Sequence, residues 1–168
     1  DVFRILARDS TNGIWLDPHN HHSIPLEGRD AEFERLNAFA ASEQVFRVLP
    51  VIAPSGAGKT RLVSEWMRPF VPTVSITDWE AGFLISDLNS KARDPEPWQK
   101  WKPKKNTLIA IDYTFAFDEV VQAIAETALA QSDCIIRLIV IDHVMPKLLR
   151  TDFLWSKFAG GHASAMDS

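Results

Sequence analysis

The chain has 168 residues, of which 46% are hydrophobic and 24% charged, and its formal net charge at pH 7 is −4. These values are typical of one ordinary globular domain, long enough to bury about two thirds of the surface of its unfolded chain. The negative charge argues against a general binder of nucleic acids or anionic membranes, and no stretch approaches the roughly 18 uninterrupted apolar residues of a membrane span.

The cysteine content and the first residue bear on where such a protein works. Cys134 is the single cysteine, so no internal disulfide can form, which suits a reducing cytosol and predicts a cytoplasmic protein. Its position in an apolar run favours a small buried side chain over a catalytic thiol. Nothing at the start resembles a signal peptide. The chain begins with Asp1 rather than methionine, as a piece of a longer protein would.

Residues 1–25 are mixed in composition and contain the turn signals Asn12-Gly13 and Asp17-Pro18. We interpret them as an N-terminal linker. The cluster His19-Asn20-His21-His22 raises the alternative of a metal site. That alternative is disfavoured because neither a cysteine nor a second histidine pair stands at the spacing that partner ligands would need.

An amphipathic helix is predicted from Asp30 to about Ser42. Its apolar residues recur at helical spacing, and acidic residues lie in its first turn, where the helix dipole favours them. The predicted inward face comprises Ala31, Phe33, Leu36, Phe39 and Ala40. The dipeptide Gly28-Arg29, just before this helix, could line the base of a nucleotide bound at the motif that follows.

The next stretch carries the Walker A pattern of a phosphate-binding loop. It comprises Ala53, Pro54, Ser55, Gly56, Ala57, Gly58, Lys59 and Thr60, with alanine where the first glycine of the strict pattern usually stands. Gly56 and Gly58 let the backbone turn its N–H groups toward a phosphate without a Cβ in the way. Lys59 supplies positive charge for the outer phosphates, and the Thr60 hydroxyl is the usual ligand of magnesium. The structural alternative is a glycine turn followed by a solvated lysine.

The segments on either side support a phosphate loop. An apolar strand is predicted over residues 48–53, with Pro50 at its entry because proline donates no hydrogen bond to a sheet. A helix is predicted to begin near Lys59, with its positive dipole end toward the bound anion, and to end at Pro69. Its predicted inward face comprises Leu62, Val63, Trp66 and Met67.

The following part of the chain gives weaker patterns. A short strand is predicted over residues 71–77, and then a compact apolar turn over residues 78–84. Residues 89–106 have the composition of a loop, with three prolines, six basic residues and two acidic ones. Basic residues interleaved with Trp98 and Trp101 could bind single-stranded nucleic acid. A surface loop pinned by the two tryptophans is the favoured interpretation.

Residues 108–112, with the sequence Leu-Ile-Ala-Ile-Asp, are four apolar residues followed by an acid. Such a run suits a strand buried on both faces in the middle of a parallel sheet. Because it follows a Walker A loop, the terminal Asp112 matches the Walker B pattern, in which the carboxylate holds magnesium directly or through water. The structural alternative is a strand-end aspartate that caps a turn.

A helix over residues 117–131 and a strand over residues 135–141 are predicted next. The inward face of the helix comprises Val120, Val121, Ile124, Ala128 and Leu129. The strand is interrupted by Arg137 and ends at Asp142-His143. Ligands of open α/β folds gather at the carboxyl edge of the sheet, so His143 could sense a γ-phosphate, although a structural role fits this histidine equally well.

The alternation of strands and helices predicts an α/β fold, specifically a three-layer α/β/α P-loop NTPase sandwich with a mainly parallel sheet. We assign residues 26–160 to this core, with a last helix over residues 146–158, and residues 161–168 to a C-terminal tail. A strand between the Walker A and Walker B strands is compatible with this class, although the sequence does not fix the strand order. The core can be incomplete at its C-terminus, since no fifth strand is visible.

Together, these motifs resemble one family. The segments concerned are Ile24-Pro25-Leu26-Glu27-Gly28-Arg29, the Walker A loop with Arg61-Leu62, Trp79-Glu80-Ala81-Gly82-Phe83-Leu84, and Trp101-Lys102-Pro103 leading to Asp112-Tyr113. They are similar to the ATP-binding domains of bacterial STAND-type NTPases, relatives of the AAA+ and NACHT group that act as signalling switches. The resemblance spans roughly residues 25–155.

The resemblance implies ATP with Mg²⁺ at the phosphate loop, where Arg61 is a further nucleotide-binding residue after Thr60. It also implies a Gly28-Arg29 box near the adenine and a role as a cytoplasmic switch. It further implies ATP or ADP as the ligand and other domains or subunits of a larger switch protein as partners. The composition disfavours a nucleic acid as partner and predicts no membrane partner. Two departures concern hydrolysis. Tyr113 stands where many relatives carry an acid that activates water, and Asp142-His143 stands where an arginine often ends the strand.

Three functions are compatible with these residues. The first is an Mg-ATP-binding switch domain with slow hydrolysis, in which Lys59 and Asp112 serve catalysis and Thr60 and Asp112 hold the metal. The second is a small-molecule kinase, which needs an acceptor pocket and a lid with arginines. The third is a non-hydrolysing protein-interaction module with Trp15, Trp98 and Trp101 as anchors. Adenine is not proven over guanine, although no Asn-Lys-x-Asp motif is present.

Overall fold

Four parallel strands form one sheet in the described part of the chain. In this computed structural model they are β1 Phe46–Ile52, β2 Trp79–Leu84, β3 Asn106–Asp112 and β4 Ile136–Asp142. Their order across the sheet is β1-β4-β3-β2, so β4 lies between the strand that leads into the Walker A loop and the strand that ends at Asp112. The structure describes residues 26–70, 79–84, 93–112, 117–130 and 133–145.

The helices among the described residues are α1 Asp30–Ala40, α2 Lys59–Met67, α3 Glu96–Gln99 and α4 Asp118–Ala130. A 3-10 turn, Arg68–Phe70, follows α2. The three long helices therefore begin and end within two residues of the predicted positions. Two predicted core residues are wrong, since Ala31 and Leu129 are exposed: in each case the buried stripe of the helix is narrower than the sequence pattern suggests. None of the described helices is long and apolar enough to cross a membrane.

Strands β3 and β4 are buried on both faces, as their apolar runs predict. Neighbouring residues of a strand point to opposite faces, and the core divides accordingly into two clusters. Ile109 and Ile111 pack with α4 in one cluster, whereas Leu108 and Ala110 pack with α1 and α2 in the other. The parallel α/β class is confirmed, and helices on both sides of the sheet are what a three-layer sandwich requires.

Pro50 lies inside β1, not at its entry as predicted. It pairs in register with Val140 of β4. The carbonyl of Val45 and the N–H of Ala53 both bond to β4, and the N–H direction alternates along a strand, so the nitrogen of Pro50 faces away from β4. Because β4 is the one described neighbour of β1, the proline removes no hydrogen bond from the described sheet.

The segment predicted as an apolar turn is a strand. Residues Trp79–Leu84 form β2, which pairs in parallel with β3 from Trp79 opposite Asn106 to Leu84 opposite Ile111. The segment carries the strand-favouring Trp79 and Phe83 but also Glu80, Ala81 and Gly82, which are depleted in strands, so its local sequence is ambiguous. Pairing with the central β3 decides its conformation. The strand predicted over residues 71–77 lies outside the described residues.

The two tryptophans of the proline-rich segment are buried. Trp98 is 0% and Trp101 6% exposed, and their rings make a T-shaped contact with centroids 5.6 Å apart. The Thr127 hydroxyl of α4 donates to the Trp98 carbonyl at 2.9 Å. The interpretation of a loop pinned by two tryptophans is confirmed over residues 93–105, with the short helix α3 as an addition. Neither ring is accessible for stacking on a nucleic-acid base.

Arg137, which interrupts the apolar run of β4, is fully buried. Its guanidinium donates hydrogen bonds to the carbonyls of Phe39 (2.9 Å), Gln44 (2.8 Å) and Ser42. Burial lowers the pKa of Arg137 to about 10, with the nearby charge of Arg47 adding to the effect, so the group stays charged at neutral pH. Arg137 thereby ties the end of α1 and the turn after it to the middle of the sheet.

Several predicted segments lie outside the described residues. They are the linker over residues 1–25 with its histidine cluster and Trp15, the helix over residues 146–158 and the tail over residues 161–168.

Candidate functional site

The Walker A loop joins the end of β1 to the start of α2. Gly56 has φ +82° and Gly58 has φ +79°, and a Cβ added at either position would meet nothing within 4 Å. The N–H of Ala57 donates to the carbonyl of Pro54 at 3.2 Å, which closes the turn. These left-handed conformations are strained for any residue with a Cβ, so the backbone itself requires glycine at both positions, and the space beside them is open.

The same loop provides the N-terminus of α2. Gly58 is the N-cap, and no described side chain caps this end of the helix. The first N–H groups of a helix have no partner within the helix and carry its positive dipole end. Together with the open space beside Gly56 and Gly58, they form an arrangement suited to an anion.

The side chain of Lys59 folds back onto the first two residues of the loop. Its Nζ donates to the carbonyls of Ala53 at 2.8 Å and Pro54 at 2.9 Å. The positive charge is therefore held against the beginning of the loop by two weak acceptors. A phosphate oxygen carries a formal charge and is the stronger partner for an ammonium group, so this position suits a lysine that contacts an anion.

Thr60 and Asp112 are brought together by the fold. The hydroxyl of Thr60 donates to Oδ2 of Asp112 at 2.7 Å, although 52 residues separate them in the sequence. Thr60 is exposed in the first turn of α2, and Asp112 is partly buried at the end of β3. The Walker A hydroxyl and the Walker B carboxylate, each identified from its own motif, thus lie in direct contact.

This pair can take part in binding Mg²⁺. No group of three or more His, Cys, Asp or Glu side chains among the described residues could hold a metal ion alone. Mg²⁺, however, commonly keeps several waters and binds through one or two carboxylates and the phosphates of its substrate. One hydroxyl and one carboxylate beside an anion-binding loop fit that mode.

Arg29 reaches the phosphate loop from the start of α1. Its Nη2 donates to the carbonyl of Ala57 at 3.1 Å, and its Nη1 bonds Glu32 at 2.6 Å. The hydrogen bond from Arg29 lowers the pKa of Glu32. Gly28, with φ +70°, allows the sharp turn before Arg29. From the sequence, Gly28 and Arg29 were expected to line the base of a bound nucleotide. In the structure, Arg29 instead contacts the backbone of the phosphate loop at Ala57.

His143 is held by a residue that was not among the predicted site residues. Its Nδ1 lies 2.8 Å from Oδ1 of Asp142, and its backbone N–H donates to the same oxygen at 2.7 Å. The side chain of Asp142 is 5% exposed and that of His143 is 57% exposed. The sequence does carry a signal for Asp142. Ile139-Val140-Ile141-Asp142 repeats the pattern seen in β3, in which apolar residues are followed by an acid.

The remaining predicted site residues lie along the loop and α2. Ser55 is exposed at the tip of the loop, and Arg61 is partly buried in the first turn of α2. Cys134 is a partly buried free thiol whose Sγ lies 3.5 Å from the Pro103 carbonyl, and burial raises its pKa. Since Cys134 precedes β4, it lies at the amino ends of the strands, away from the phosphate loop at their carboxyl ends.

Comparison with known proteins assigns no family to this chain. No protein-family model matches it, and no curated protein matches it at the required significance.

Proposed function

We propose that the chain binds Mg-ATP at residues 53–60 and acts as a nucleotide-dependent regulatory switch in the cytoplasm, with slow hydrolysis. The observation that carries the proposal is the 2.7 Å hydrogen bond between Thr60 and Asp112. A glycine turn with a solvated lysine would need neither this contact nor a carboxylate at the end of a neighbouring strand.

Each loop residue has a defined part in the proposal. The N–H groups around Gly56 and Gly58 face the phosphates, and Lys59 exchanges its carbonyl partners on Ala53 and Pro54 for phosphate oxygens. Thr60 and Asp112 would hold Mg²⁺, directly or through its waters, in place of their contact with each other. Bound Mg-ATP supplies the phosphoanhydride bond and the charge that these residues neutralise.

The regulatory part of the proposal is supported by Arg29. The hydrogen bond from Arg29 to the Ala57 carbonyl connects the phosphate loop to α1, so a change in the loop on nucleotide binding would be transmitted to this helix. Arg137 in turn fixes the other end of α1 to β4. The proposed partners are further domains or subunits that contact the domain differently in its ATP and ADP states.

The experiment is a thermal and urea denaturation series of the full chain with Mg-ATP, Mg-ADP, Mg-GTP and no nucleotide. A ligand present at one hundred times its dissociation constant stabilises the folded state by about 2.7 kcal/mol. We expect that gain with Mg-ATP and a smaller one when EDTA removes the metal. A folded chain that gains no stability with any nucleotide would refute the proposal. A larger gain with Mg-GTP than with Mg-ATP would replace ATP by GTP as the proposed ligand.

A further inference from the structure

Asp142 and His143 form a bonded pair with features of a proton acceptor. The buried Asp142 carboxylate accepts a hydrogen bond from the backbone N–H of His143, and the same oxygen lies 2.8 Å from Nδ1 of the ring. The ring is therefore anchored on one side, while more than half of the His143 side chain remains exposed to water. A buried carboxylate under an accessible imidazole is the arrangement that orients catalytic histidines in hydrolases.

The position of Asp142 beside Nδ1 favours one tautomer of the neutral ring. In neutral histidine one nitrogen is a donor and the other an acceptor. The neighbouring carboxylate only accepts, so it matches the tautomer with the hydrogen on Nδ1, in which Nε2 keeps a lone pair.

The strand order brings this pair to the candidate site. Ile52 lies opposite Asp142 in the pairing of β1 with β4, and the N–H of Ala53 bonds the Asp142 carbonyl at 3.4 Å. Asp142 therefore lies beside the start of the loop, where the carbonyl of Ala53 is 2.8 Å from Lys59 Nζ.

On the other side of β4, Asp112 lies opposite Ile141. The dyad of Asp142 and His143 therefore lies at the carboxyl end of the sheet, where the phosphate loop and Asp112 also lie. Asp142 ends β4, the strand between β1 and β3. Neighbouring strands are about 5 Å apart, so Asp142, the last residue of β4, is one strand spacing from the end of β1 and one from the end of β3.

We propose that His143 is the general base of ATP hydrolysis and that Asp142 is its positioning residue. This inference rests on the proposed function. Nε2 of His143 takes a proton from the attacking water as the water oxygen bonds the γ-phosphorus. The bond from the γ-phosphorus to the bridging oxygen breaks, and ADP leaves with the electron pair. The proton passes from His143 to bulk water, so the products are ADP, phosphate and one proton.

A general base at His143 accounts for a feature of the sequence. The residue after Asp112 is Tyr113, which provides no carboxylate to accept a proton from water. The acids in the first turn of α4, Asp118 and Glu119, are exposed and are accounted for by the helix dipole. The dyad at the end of β4 supplies a proton acceptor that these positions do not.

The test compares turnover, nucleotide binding and the ring tautomer in the full chain. For His143→Ala we expect kcat to fall about 100-fold, as for a lost general base, while KM and the stabilisation by Mg-ATP stay within about twofold. Added imidazole should restore part of the lost kcat, which a structural role for His143 would not produce. The matched control, Glu119→Gln, should keep the kcat of the unmodified chain.

Nitrogen-15 NMR of the nucleotide-free chain provides a readout that does not depend on activity. We expect His143 to be protonated at Nδ1 and unprotonated at Nε2. In Asp142→Asn, the amide can donate to Nδ1, so the hydrogen should move to Nε2 and kcat should fall. If Asp142→Asn does not fold, the His143 results and the tautomer of the unmodified chain decide the question.

The outcomes separate this inference from the proposed function. If Mg-ATP stabilises the chain but His143→Ala keeps its kcat within about threefold, or if the hydrogen of His143 lies on Nε2, the dyad is not the base and the binding function stands. Binding without measurable turnover in the unmodified chain likewise rules out the dyad as a base and leaves the binding function in place. If no nucleotide stabilises the chain, both proposals fail.

Discussion

The hydroxyl of Thr60 donates a 2.7 Å hydrogen bond to the carboxylate of Asp112 across 52 residues of chain. Thr60 lies in the first turn of α2 and Asp112 ends β3, and β4 lies between β1 and β3 in the sheet. The loop after β1 must therefore extend past the end of β4 for this contact to form. The contact fixes the first turn of α2 over the carboxyl edge of the sheet, where ligands of parallel sheets bind.

Replacing Lys59 by alanine should remove most of the stabilisation by nucleotide. The variant loses the cation that lies 2.8 Å from the Ala53 carbonyl and 2.9 Å from the Pro54 carbonyl at the mouth of the loop. We expect the gain in unfolding free energy with Mg-ATP, about 2.7 kcal/mol at one hundred times the dissociation constant, to fall below half. Urea titrations with and without Mg-ATP measure it. The control Lys104→Ala, at an exposed position, should keep the full gain.

Asp112→Asn should separate metal binding from nucleotide binding. The asparagine oxygen can still accept the hydrogen bond from Thr60, but the negative charge that attracts Mg²⁺ is lost. We expect the variant to be stabilised by ATP to the same extent with Mg²⁺ and with EDTA, whereas the unmodified chain should respond to the metal. A Mg²⁺ titration at fixed ATP concentration checks this. An unchanged Mg²⁺ dependence would show that Asp112 does not contact the ion or its waters.

The ion pair of Arg29 with Glu32 should make stability depend on pH. The hydrogen bond from Arg29 lowers the pKa of Glu32 in the folded chain, so the pair stabilises the fold above the ordinary glutamate pKa of about 4.3. This contribution is lost as the pH falls through the lowered pKa. Glu32→Gln should cost about 0.5 kcal/mol at pH 7, the size of a partly exposed pair.

Urea unfolding at a series of pH values from neutral to acid checks this prediction. The difference between the unmodified chain and Glu32→Gln should shrink as the pH falls. Glu34→Gln, an exposed position on the same helix, serves as the control and should show no such change. A difference that is constant with pH would contradict the role of the Arg29–Glu32 pair.

Arg137→Met should be strongly destabilising although it replaces a charged residue by an apolar one of similar length. The carbonyls of Phe39, Ser42 and Gln44 would lose their common donor, and buried acceptors without partners are costly. We expect a loss of about 3 kcal/mol in unfolding free energy, measured by urea denaturation. Arg68→Met, at a half-exposed ion pair, should cost at most about 1 kcal/mol. A loss for Arg137→Met no larger than that would contradict its buried role.

The sequence by itself determined the elements whose local pattern is strong. The apolar runs of β3 and β4 are typical of buried strands of a parallel sheet, because they carry almost no polar side chain for a solvent face. The loop at Gly56 and Gly58 and the helix from Lys59 follow from residue types that tolerate few alternatives. The terminal acid of β3 likewise marked Asp112 as the partner of the loop before any contact was visible.

The tertiary structure decided what depends on neighbours distant in the sequence. Trp79–Leu84 is a strand because β3 offers it a row of hydrogen-bonding groups, and Pro50 is tolerated in β1 because its nitrogen faces away from β4. The hydrogen bond from Arg29 to the Ala57 carbonyl joins segments 28 residues apart. The burial of Asp142 follows from the position of β4 between β1 and β3, and no local pattern encodes either. Propensity and periodicity describe a segment and its own faces, whereas register and strand order are set by the packing energy of the whole sheet.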